Sequence, residues 1–433
     1  MEAARKNSPR LIVPDLARGL ALLGIAVANA SQAWIINDYS MDSTPGSTLG
    51  GVRPDSALDQ VLAVLSAMFV HVRGLPMFST LLGFGIGLIA ASLYRKNYPA
   101  KAARSVLLRR YLWLAAFGVI HLVALFYGDI MTTYGIAGAI VALMLTLSTN
   151  ALRIIAYALI ALSVVMFTAS AGLLAVMDLG IVLDEIIMPT TEIDSLPEYL
   201  QENAAFSLLV LTSQPVSAFM LGGLVLIGFI WAREGYLVDV DKHRRVLVNW
   251  VIVAAAVVIL VGLPLGLSAI GVIDPGYELA FSTLNYGWGL LTGPGILAAL
   301  ALVVNPVQKE MHRRYAESGD ASAPAWAYPF VALGKRSMSG YLAQSFLFIG
   351  LTMPFALGWG AESSIAGKTA VGALIWLITL LLACALEAAG WQGPFEKVHR
   401  RLAYGRAERI EPYSAENSAE QNSAAQNDPK QLP

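Results

Sequence analysis

Charged residues are scarce in this chain of 433 residues, since only 14% of them are Asp, Glu, Lys or Arg. A soluble protein carries about 25% charged residues, and a soluble chain of this length needs them to cover the surfaces of two or three domains. Hydrophobic residues make up 56% of the chain, and the mean hydropathy is +0.61. This composition excludes an ordinary soluble protein and indicates one that lies in lipid.

Cysteine and histidine are also few, and their arrangement argues against several kinds of site. The single cysteine, Cys384, cannot form an intrachain disulfide. The five histidines are scattered without a paired metal-ligand spacing, so we expect no bound metal or cofactor. The net charge is −1, and no segment combines basic residues with interleaved aromatics, which argues against nucleic acid as a partner.

Long apolar runs dominate the remainder of the sequence. A hydrocarbon layer about 30 Å thick needs about 20 apolar helical residues for each crossing. The runs predict an all-α fold, a polytopic integral membrane helical bundle of about ten transmembrane helices in a lipid bilayer. The predicted spans are 11–33, 72–93, 111–127, 131–148, 153–176, 207–231, 246–272, 283–304, 337–357 and 368–390. A shorter apolar helix over 58–71 is expected to lie along the outer face.

The distribution of Lys and Arg predicts the orientation of the bundle. With the N-terminus inside, 25 of the 29 Lys and Arg residues fall on the cytoplasmic side, so both termini are predicted to be cytoplasmic. Residues 1–407 are predicted to form one membrane domain and 408–433 a disordered cytoplasmic tail. The stretch Ala28-Asn29-Ala30 imitates a signal-peptide cleavage site, but Asp15 and Arg18 are unusual in a signal peptide. We therefore expect the first span to be retained.

Asp15 and Arg18 are ionisable residues within the first predicted span, where charge is costly. Because they are three positions apart, they share one face of a helix and can pair. One interpretation is an ion pair at the cytoplasmic interface. The other is a binding site, in which Arg18 points into a cavity and binds an anionic group.

His121 and Asp129 are the second pair of interest. His121 lies towards the outer end of the third predicted span and can act as a general base or as a hydrogen-bonding residue between helices. Asp129 is predicted either to cap the next helix or to contribute to a site. Eight positions correspond to about 12 Å along an ideal helix, so the two form a dyad only if the chain bends between them.

Small and polar residues in other spans leave alternatives open. The glycines of 83–87 lie inside an apolar helix without a preceding strand, which favours close helix packing over a dinucleotide loop. Residues 287–295 (GWGLLTGPG) either kink the eighth span within the packed bundle or break it to line a substrate site. In the ninth span, Tyr341, Gln344 and Ser345 at helical spacing can join helices or line a cavity.

Several stretches resemble the YeiB-like bacterial membrane proteins, the family called domain of unknown function 418. The stretches that carry the resemblance are 15–25 (DLARGLALLGI), 78–87 (FSTLLGFGIG), 121–134 with its His121, Gly128-Asp129-Ile130 and Tyr134, 333–345 (LGKRSMSGYLAQS) and 393–406 (GPFEKVHRRLAYGR). Ser339-Gly340 stands where that family usually has Thr-Asn. The resemblance implies a multi-pass protein of the bacterial cytoplasmic (inner) membrane.

A more distant resemblance concerns chemistry. The opening Asp-x-x-Arg-Gly is similar to that of membrane acyltransferases, which transfer acyl groups from cytoplasmic coenzyme A to extracytoplasmic sugars. That resemblance implies that Arg18 binds an acyl-CoA co-substrate. Asn29 stands where those families have a histidine, so His121 would have to serve as the base.

Two functional hypotheses follow. In the first, the chain is an O- or N-acyltransferase for a sugar or lipid acceptor. His121 and Asp129 are catalytic, and the substrate- or donor-binding residues are Asp15, Arg18, Arg336, Tyr341 and Gln344. In the second, it is a transporter or flippase of a small organic or lipid-linked solute, which depends on Gln344 and 287–295. A scaffold without turnover is a third possibility.

Overall fold

The computed structural model describes residues 10–41, 44–176, 193–320 and 322–414. These residues form fifteen α-helices and no β-strand, which confirms the all-α prediction. The helices are α1 (Ile12–Asn29), α2 (Ala57–Phe69), α3 (Gly74–Arg95), α4 (Ala100–Ala124), α5 (Met131–Leu143), α6 (Thr149–Val176), α7 (Leu196–Glu234), α8 (Arg244–Val257), α9 (Leu263–Ala269), α10 (Glu278–Trp288), α11 (Thr292–Ser318), α12 (Tyr328–Lys335), α13 (Ser337–Thr352), α14 (Ile365–Ala388) and α15 (Pro394–Tyr404).

Among the described residues, eight helical segments are long and apolar enough to cross a membrane. They are Ile12–Trp34, Ala57–Arg95, Ala100–Ala124, Thr149–Val176, Leu196–Glu234, Arg244–Ala269, Pro275–Ser318 and Ile365–Ala388. The predicted spans 131–148 and 337–357 correspond to the shorter helices α5 and α13, of 13 and 16 residues. The multi-pass architecture is therefore supported, and the count of ten stays a prediction.

Two helices extend well beyond the predicted spans. The third predicted span begins at residue 111, whereas α4 already begins at Ala100. The sixth predicted span covers 207–231, whereas α7 is 39 residues long and begins at Leu196. Arg104, Arg109 and Arg110 lie inside α4. Arginine is a good helix former, so a run of basic residues marks a change in polarity and does not end the helix.

The end of the described chain packs against the bundle. Residues 408–414, the first part of the predicted disordered tail, contain no helix, but Tyr413 contacts Tyr98 with ring centroids 5.1 Å apart. The Tyr413 backbone N–H also donates to the carbonyl of Lys96 at 3.0 Å. Disorder of the tail stays a prediction, and 415–433 lie outside the described residues, as do 1–9 and 177–192.

Glycines allow the helices at the centre of the bundle to approach closely. A Cβ atom on Gly83 of α3 would lie 1.7 Å from the carbonyl oxygen of Val225 on α7. A Cβ atom on Gly228 of α7 would lie 1.8 Å from the carbonyl oxygen of Thr80 on α3. These contacts agree with the packing interpretation of the 83–87 glycines.

The segment over 287–295 is also packed. A single 3-10 turn, Gly289–Leu291, joins α10 to α11 within one helical segment. A Cβ atom on Gly287 would lie 2.4 Å from the Phe167 Cβ, and one on Gly293 would lie 2.4 Å from the backbone of Pro76. The glycines therefore seat this segment against α6 and α3.

Helix α1 is central, whereas α6 is peripheral. In the most apolar part of the segment that contains α1, 67% of the residues are buried inside the protein. In the corresponding part of α6, only 17% are buried. Large apolar side chains of α6, such as Ile154 and Val165, are exposed, as a lipid-facing helix requires. Helix α1 contacts α3, α12 and α14, and this central position brings its polar residues into the interior.

Candidate functional site

A cavity of about 240 Å³ lies between α1, α3, α4, α5, α13 and α15, and we call it the central cavity. Its basic lining residues are Arg10, Arg18, Arg110, Lys335 and Arg400. Its apolar and aromatic lining includes Leu22, Ile25, Phe78, Leu82, Ile89, Leu114, Ile130, Met131, Tyr134, Met338 and Tyr341. Along α1 and α4 the basic residues come before the apolar ones, so the cavity has a basic end and an apolar end.

Arg18 forms an ion pair with Asp15 and also lines the central cavity. Its Nη1 lies 3.4 Å from the buried carboxylate of Asp15, which is held more closely by Arg10 at 2.6 Å. The Arg18 side chain is 22% exposed, and a Cβ atom on Gly85 opposite would lie 3.4 Å from its Nη2. The ion pair predicted from the spacing is therefore present, and the Arg18 guanidinium faces the cavity as well.

Arg110 and His399 form the wall where α4 meets α15. His399 donates from Nε2 to the carbonyl of Arg110 at 2.8 Å, and Arg110 donates to the Tyr404 hydroxyl at 3.0 Å. Burial, and then the charge of Arg110, lower the pKa of His399 to about 4, so this histidine is neutral at pH 7. The buried Nε of Arg110 donates to no described residue, which leaves one donor of this cation free.

Arg336, which the sequence places in the donor site, points away from the cavity. Its guanidinium lies 2.5 Å from Glu387 and donates to the carbonyl of Trp391 at 3.1 Å. The preceding residue, Lys335, lines the cavity and also reaches Glu387 at 2.6 Å. Because α12 ends at Lys335 and α13 begins at Ser337, the two neighbouring side chains leave the backbone in different directions.

His121 and Asp129 are in direct contact. Helix α4 ends at Ala124, and the turn that follows brings Asp129 back, so that His121 Nδ1 lies 2.8 Å from its Oδ1. The other oxygen of Asp129 accepts from the Thr132 backbone N–H at 2.7 Å and from its hydroxyl at 2.9 Å. Asp129 therefore caps α5 and orients His121 at the same time.

Ser345 completes the arrangement from a distant part of the chain. Its hydroxyl lies 2.9 Å from Nε2 of His121, and all three side chains are buried. We call Ser345, His121 and Asp129 the relay. The sequence grouped Ser345 with Tyr341 and Gln344, but it gave no sign that a residue 224 positions from His121 would contact it.

Tyr341 links the relay to the cavity. It lines the apolar end, and its ring centroid lies 5.2 Å from that of His121. The ring of Phe126 also lies near His121, with centroids 6.3 Å apart, and Trp34 stacks on Phe126 and Phe348 at centroid distances of 4.6 and 5.1 Å. His121 therefore contacts both a residue of the cavity wall and an aromatic cluster.

Gln344, predicted to bind the substrate, joins two helices. Its Nε2 donates to the carbonyl of Leu22 at 3.3 Å, which fixes α13 to α1. It is not among the residues that line the central cavity.

In the described part of the chain, no three His, Cys, Asp or Glu side chains are grouped closely enough to hold a metal ion. In the relay, both carboxylate oxygens of Asp129 already accept hydrogen bonds. The arrangement is suited to proton transfer, because a buried histidine is oriented on one side by a carboxylate and faces a hydroxyl on the other.

Comparisons with known proteins relate this chain to proteins without an assigned activity. Residues 231–406 match the family model described as "Protein of unknown function (DUF418)". The chain is 23% identical, over 423 residues, to the uncharacterized protein YxaH of Bacillus subtilis (strain 168), an alignment that covers 92% of this chain and 95% of that protein. No solved structure matches. The family match includes Lys335, Tyr341 and Ser345, whereas Arg18 and His121 lie outside it.

Proposed function

We propose that this chain, whose residues 231–406 match the DUF418 family model, is a multi-pass membrane acyltransferase that uses an acyl-CoA thioester. The observation that carries this proposal is the central cavity, which is basic at one end, apolar at the other, and ends at Tyr341 beside His121. An acyl-CoA has the same polarity, since its phosphates are anionic and its acyl end is apolar.

The basic end is suited to phosphate groups. Five Lys and Arg residues line the cavity, against one acidic residue, Glu396. The Glu396 carboxylate is already occupied, because it accepts from the backbone N–H groups of Met338 and Ser339 at 2.8 and 3.1 Å. Guanidinium groups bind phosphate oxygens with paired hydrogen bonds, and Arg18 and Arg110 present theirs in a partly buried setting.

The apolar end would receive the thioester and its acyl group. Tyr341 and Ile130 line this end, and both lie next to the His121–Asp129 pair. Asp129 accepts a hydrogen bond from Nδ1–H of His121, which leaves Nε2 as the basic nitrogen. His121 would then remove the proton from the attacking hydroxyl. We propose a sugar or lipid hydroxyl as the final acceptor and the cytoplasm as the source of the donor.

Acyl transfer accounts for the site better than solute transport does. The transport hypothesis depended on residues 287–295 and on Gln344. The former pack against Phe167 and Pro76, and the latter joins α13 to α1. These contacts hold helices together, whereas the central cavity has charge at one end and, beside Tyr341 of its wall, the buried proton acceptor His121.

The first experiment is a thermal unfolding assay of the purified protein in nanodiscs with acetyl-CoA. A ligand at about 100 times its dissociation constant stabilises the folded state by about 2.7 kcal/mol. We expect a rise in the unfolding temperature with acetyl-CoA, and a reduced rise in Arg18→Ala and Arg400→Ala. Arg400 lines the cavity and is half-buried, so its loss should not disturb folding.

Arg313→Ala is the matched control, because Arg313 is exposed, pairs with Glu310 and Glu317, and does not line the cavity. This variant should respond to acetyl-CoA like the unmodified protein. Coenzyme A and adenosine nucleotides carry phosphates but no acyl group. Their effect on the unfolding temperature shows whether the basic end alone binds the ligand. No shift with acetyl-CoA or with a longer acyl-CoA, in protein that unfolds cooperatively, would overturn the proposal and favour a screen for transported solutes.

A further inference from the structure

We infer that Ser345 is the nucleophile that carries the acyl group between donor and acceptor, so that transfer proceeds through an acyl-serine. This inference rests on the proposed acyl transfer and names a catalytic residue and an intermediate for it. It is carried by the hydrogen-bond directions within the relay and by the burial of its three side chains.

With a neutral His121 ring, as a general base requires, the hydrogen bonds of the relay have one consistent direction. The Asp129 carboxylate accepts from the Thr132 N–H and hydroxyl on Oδ2, and from His121 Nδ1–H on Oδ1. Nδ1 therefore holds the ring proton, and Nε2 presents a lone pair. The Ser345 hydroxyl, 2.9 Å away, must donate to that lone pair. A serine that donates to an oriented histidine is the arrangement that activates a hydroxyl as a nucleophile.

Ser345 differs from three other buried hydroxyls on the helices of this protein, whereas the buried hydroxyls of Ser207 and Thr133 also bond to a neighbouring helix. Ser163, Ser79 and Thr352 each donate to the carbonyl four residues earlier in their own helix, at 2.8 to 3.0 Å. That bond is the usual partner of a hydroxyl within an apolar helix. Ser345 bonds instead to His121 on α4, a contact that a hydroxyl with a purely local structural role does not need.

The burial of the relay favours transfer in two steps. His121 and Ser345 are only 2% and 3% exposed. The central cavity ends at Tyr341, whose ring centroid lies 5.2 Å from that of His121, and neither His121 nor Ser345 is among the residues that line it. The thioester therefore meets them only past the Tyr341 ring. Such a site has little room for donor and acceptor together. A covalent carrier removes this difficulty, because the donor can leave before the acceptor reacts.

The two steps balance without any further reactant. In the first, Ser345 Oγ attacks the thioester carbonyl carbon, its proton passes to His121 Nε2, and the C–S bond breaks. His121 returns this proton to the departing thiolate, which leaves as the free thiol. In the second, the acceptor hydroxyl attacks the serine ester and gives its proton to His121. The bond from carbon to Ser345 Oγ breaks, and the serine recovers the proton.

The test is to trap the acyl-enzyme. The protein in nanodiscs is mixed with radiolabelled acetyl-CoA, quenched in acid within seconds, and digested for mass spectrometry. We expect label on the peptide that contains Ser345, its loss in Ser345→Ala, and strong reduction in His121→Gln. Ser163→Ala, a buried serine that bonds within its own helix, is the matched control and should retain full labelling.

A second variant guards against misfolding of Ser345→Ala. Ser345→Cys keeps a nucleophile of similar size, and its label should become a thioester that neutral hydroxylamine removes. Transfer of acetyl groups without label on residue 345, at an undiminished rate in folded Ser345→Ala, would overturn this inference and leave the proposed function intact. Absence of label together with absence of acetyl-CoA stabilisation would overturn both.

Discussion

His399 on α15 donates from Nε2 to the backbone carbonyl of Arg110 on α4, across 2.8 Å and 289 positions of sequence. This bond fixes α15 against the bundle beside the basic end of the central cavity. The histidine is 5% exposed, and its neighbours Arg110 and Arg400 are both cations. Protonation of His399 would therefore add a third positive charge to a buried position.

This contact predicts a loss of stability in mild acid. Burial, assisted by Arg110, lowers the pKa of His399 from 6.5 to about 4. The unfolded chain thus binds the proton more readily, and the stabilisation is complete above pH 6.5 and is lost as the pH falls towards 4. At 1.36 kcal/mol per pKa unit, the loss is about 3 kcal/mol. Unfolding at pH 7.5 and pH 4.5 measures it.

His399→Gln is the control for this pH dependence, since its amide can still donate to Arg110 but does not titrate. The variant should lose less stability than the unmodified protein between the two pH values. An equal loss in both would show that other groups cause the acid sensitivity.

A second prediction concerns the crossing of α3 and α7. Gly228→Ala would place a Cβ atom 1.8 Å from the Thr80 carbonyl oxygen, and the backbones cannot separate without losing packing. We expect a loss of about 1–3 kcal/mol in the free energy of unfolding. Gly172→Ala on α6 is the control, because no atom lies within 4 Å of its added methyl group. Equal stability of both variants would contradict the close crossing.

The third prediction separates two neighbouring cations. Arg336→Ala should lower stability by about 1.5–3 kcal/mol, because a charged hydrogen bond to Glu387 and bonds to the Trp391 carbonyl are lost. Lys335→Ala should instead weaken the thermal response to acetyl-CoA, since Lys335 lines the cavity. Thermal unfolding with and without acetyl-CoA measures both effects. If Arg336→Ala instead weakened the thermal response to acetyl-CoA and Lys335→Ala lowered stability, Arg336 and not Lys335 would bind the donor.

The fourth prediction tests the orientation of His121. In Asp129→Asn the amide can donate to Nδ1 and favour the tautomer with the proton on Nε2, which cannot accept the Ser345 proton. The rate of acetyl labelling should fall by about 10⁴-fold, as for comparable serine relays. Thr132→Ala, which removes one donor to Asp129 but keeps the backbone N–H, should have a much smaller effect. Similar losses in both variants would indicate that Asp129 serves only as a helix cap.

The sequence by itself determined what depends on composition and local spacing. Apolar runs separated by charge indicated a helical membrane protein, because each crossing must satisfy its backbone hydrogen bonds internally. The spacing of Asp15 and Arg18 placed them on one face of a helix, and they lie 3.4 Å apart. Both results follow from the geometry of a single helix, which a sequence specifies directly.

Only the tertiary structure decided how the site is assembled. His121 and Asp129 would be about 12 Å apart on a continuous helix, yet the end of α4 at Ala124 brings them to 2.8 Å. Ser345 reaches the same histidine from 224 positions away, and Lys335 lines the central cavity whereas Arg336 does not, because a helix ends between them. Such contacts depend on where helices end and on how they pack, and glycine-lined crossings between separate helices set that packing.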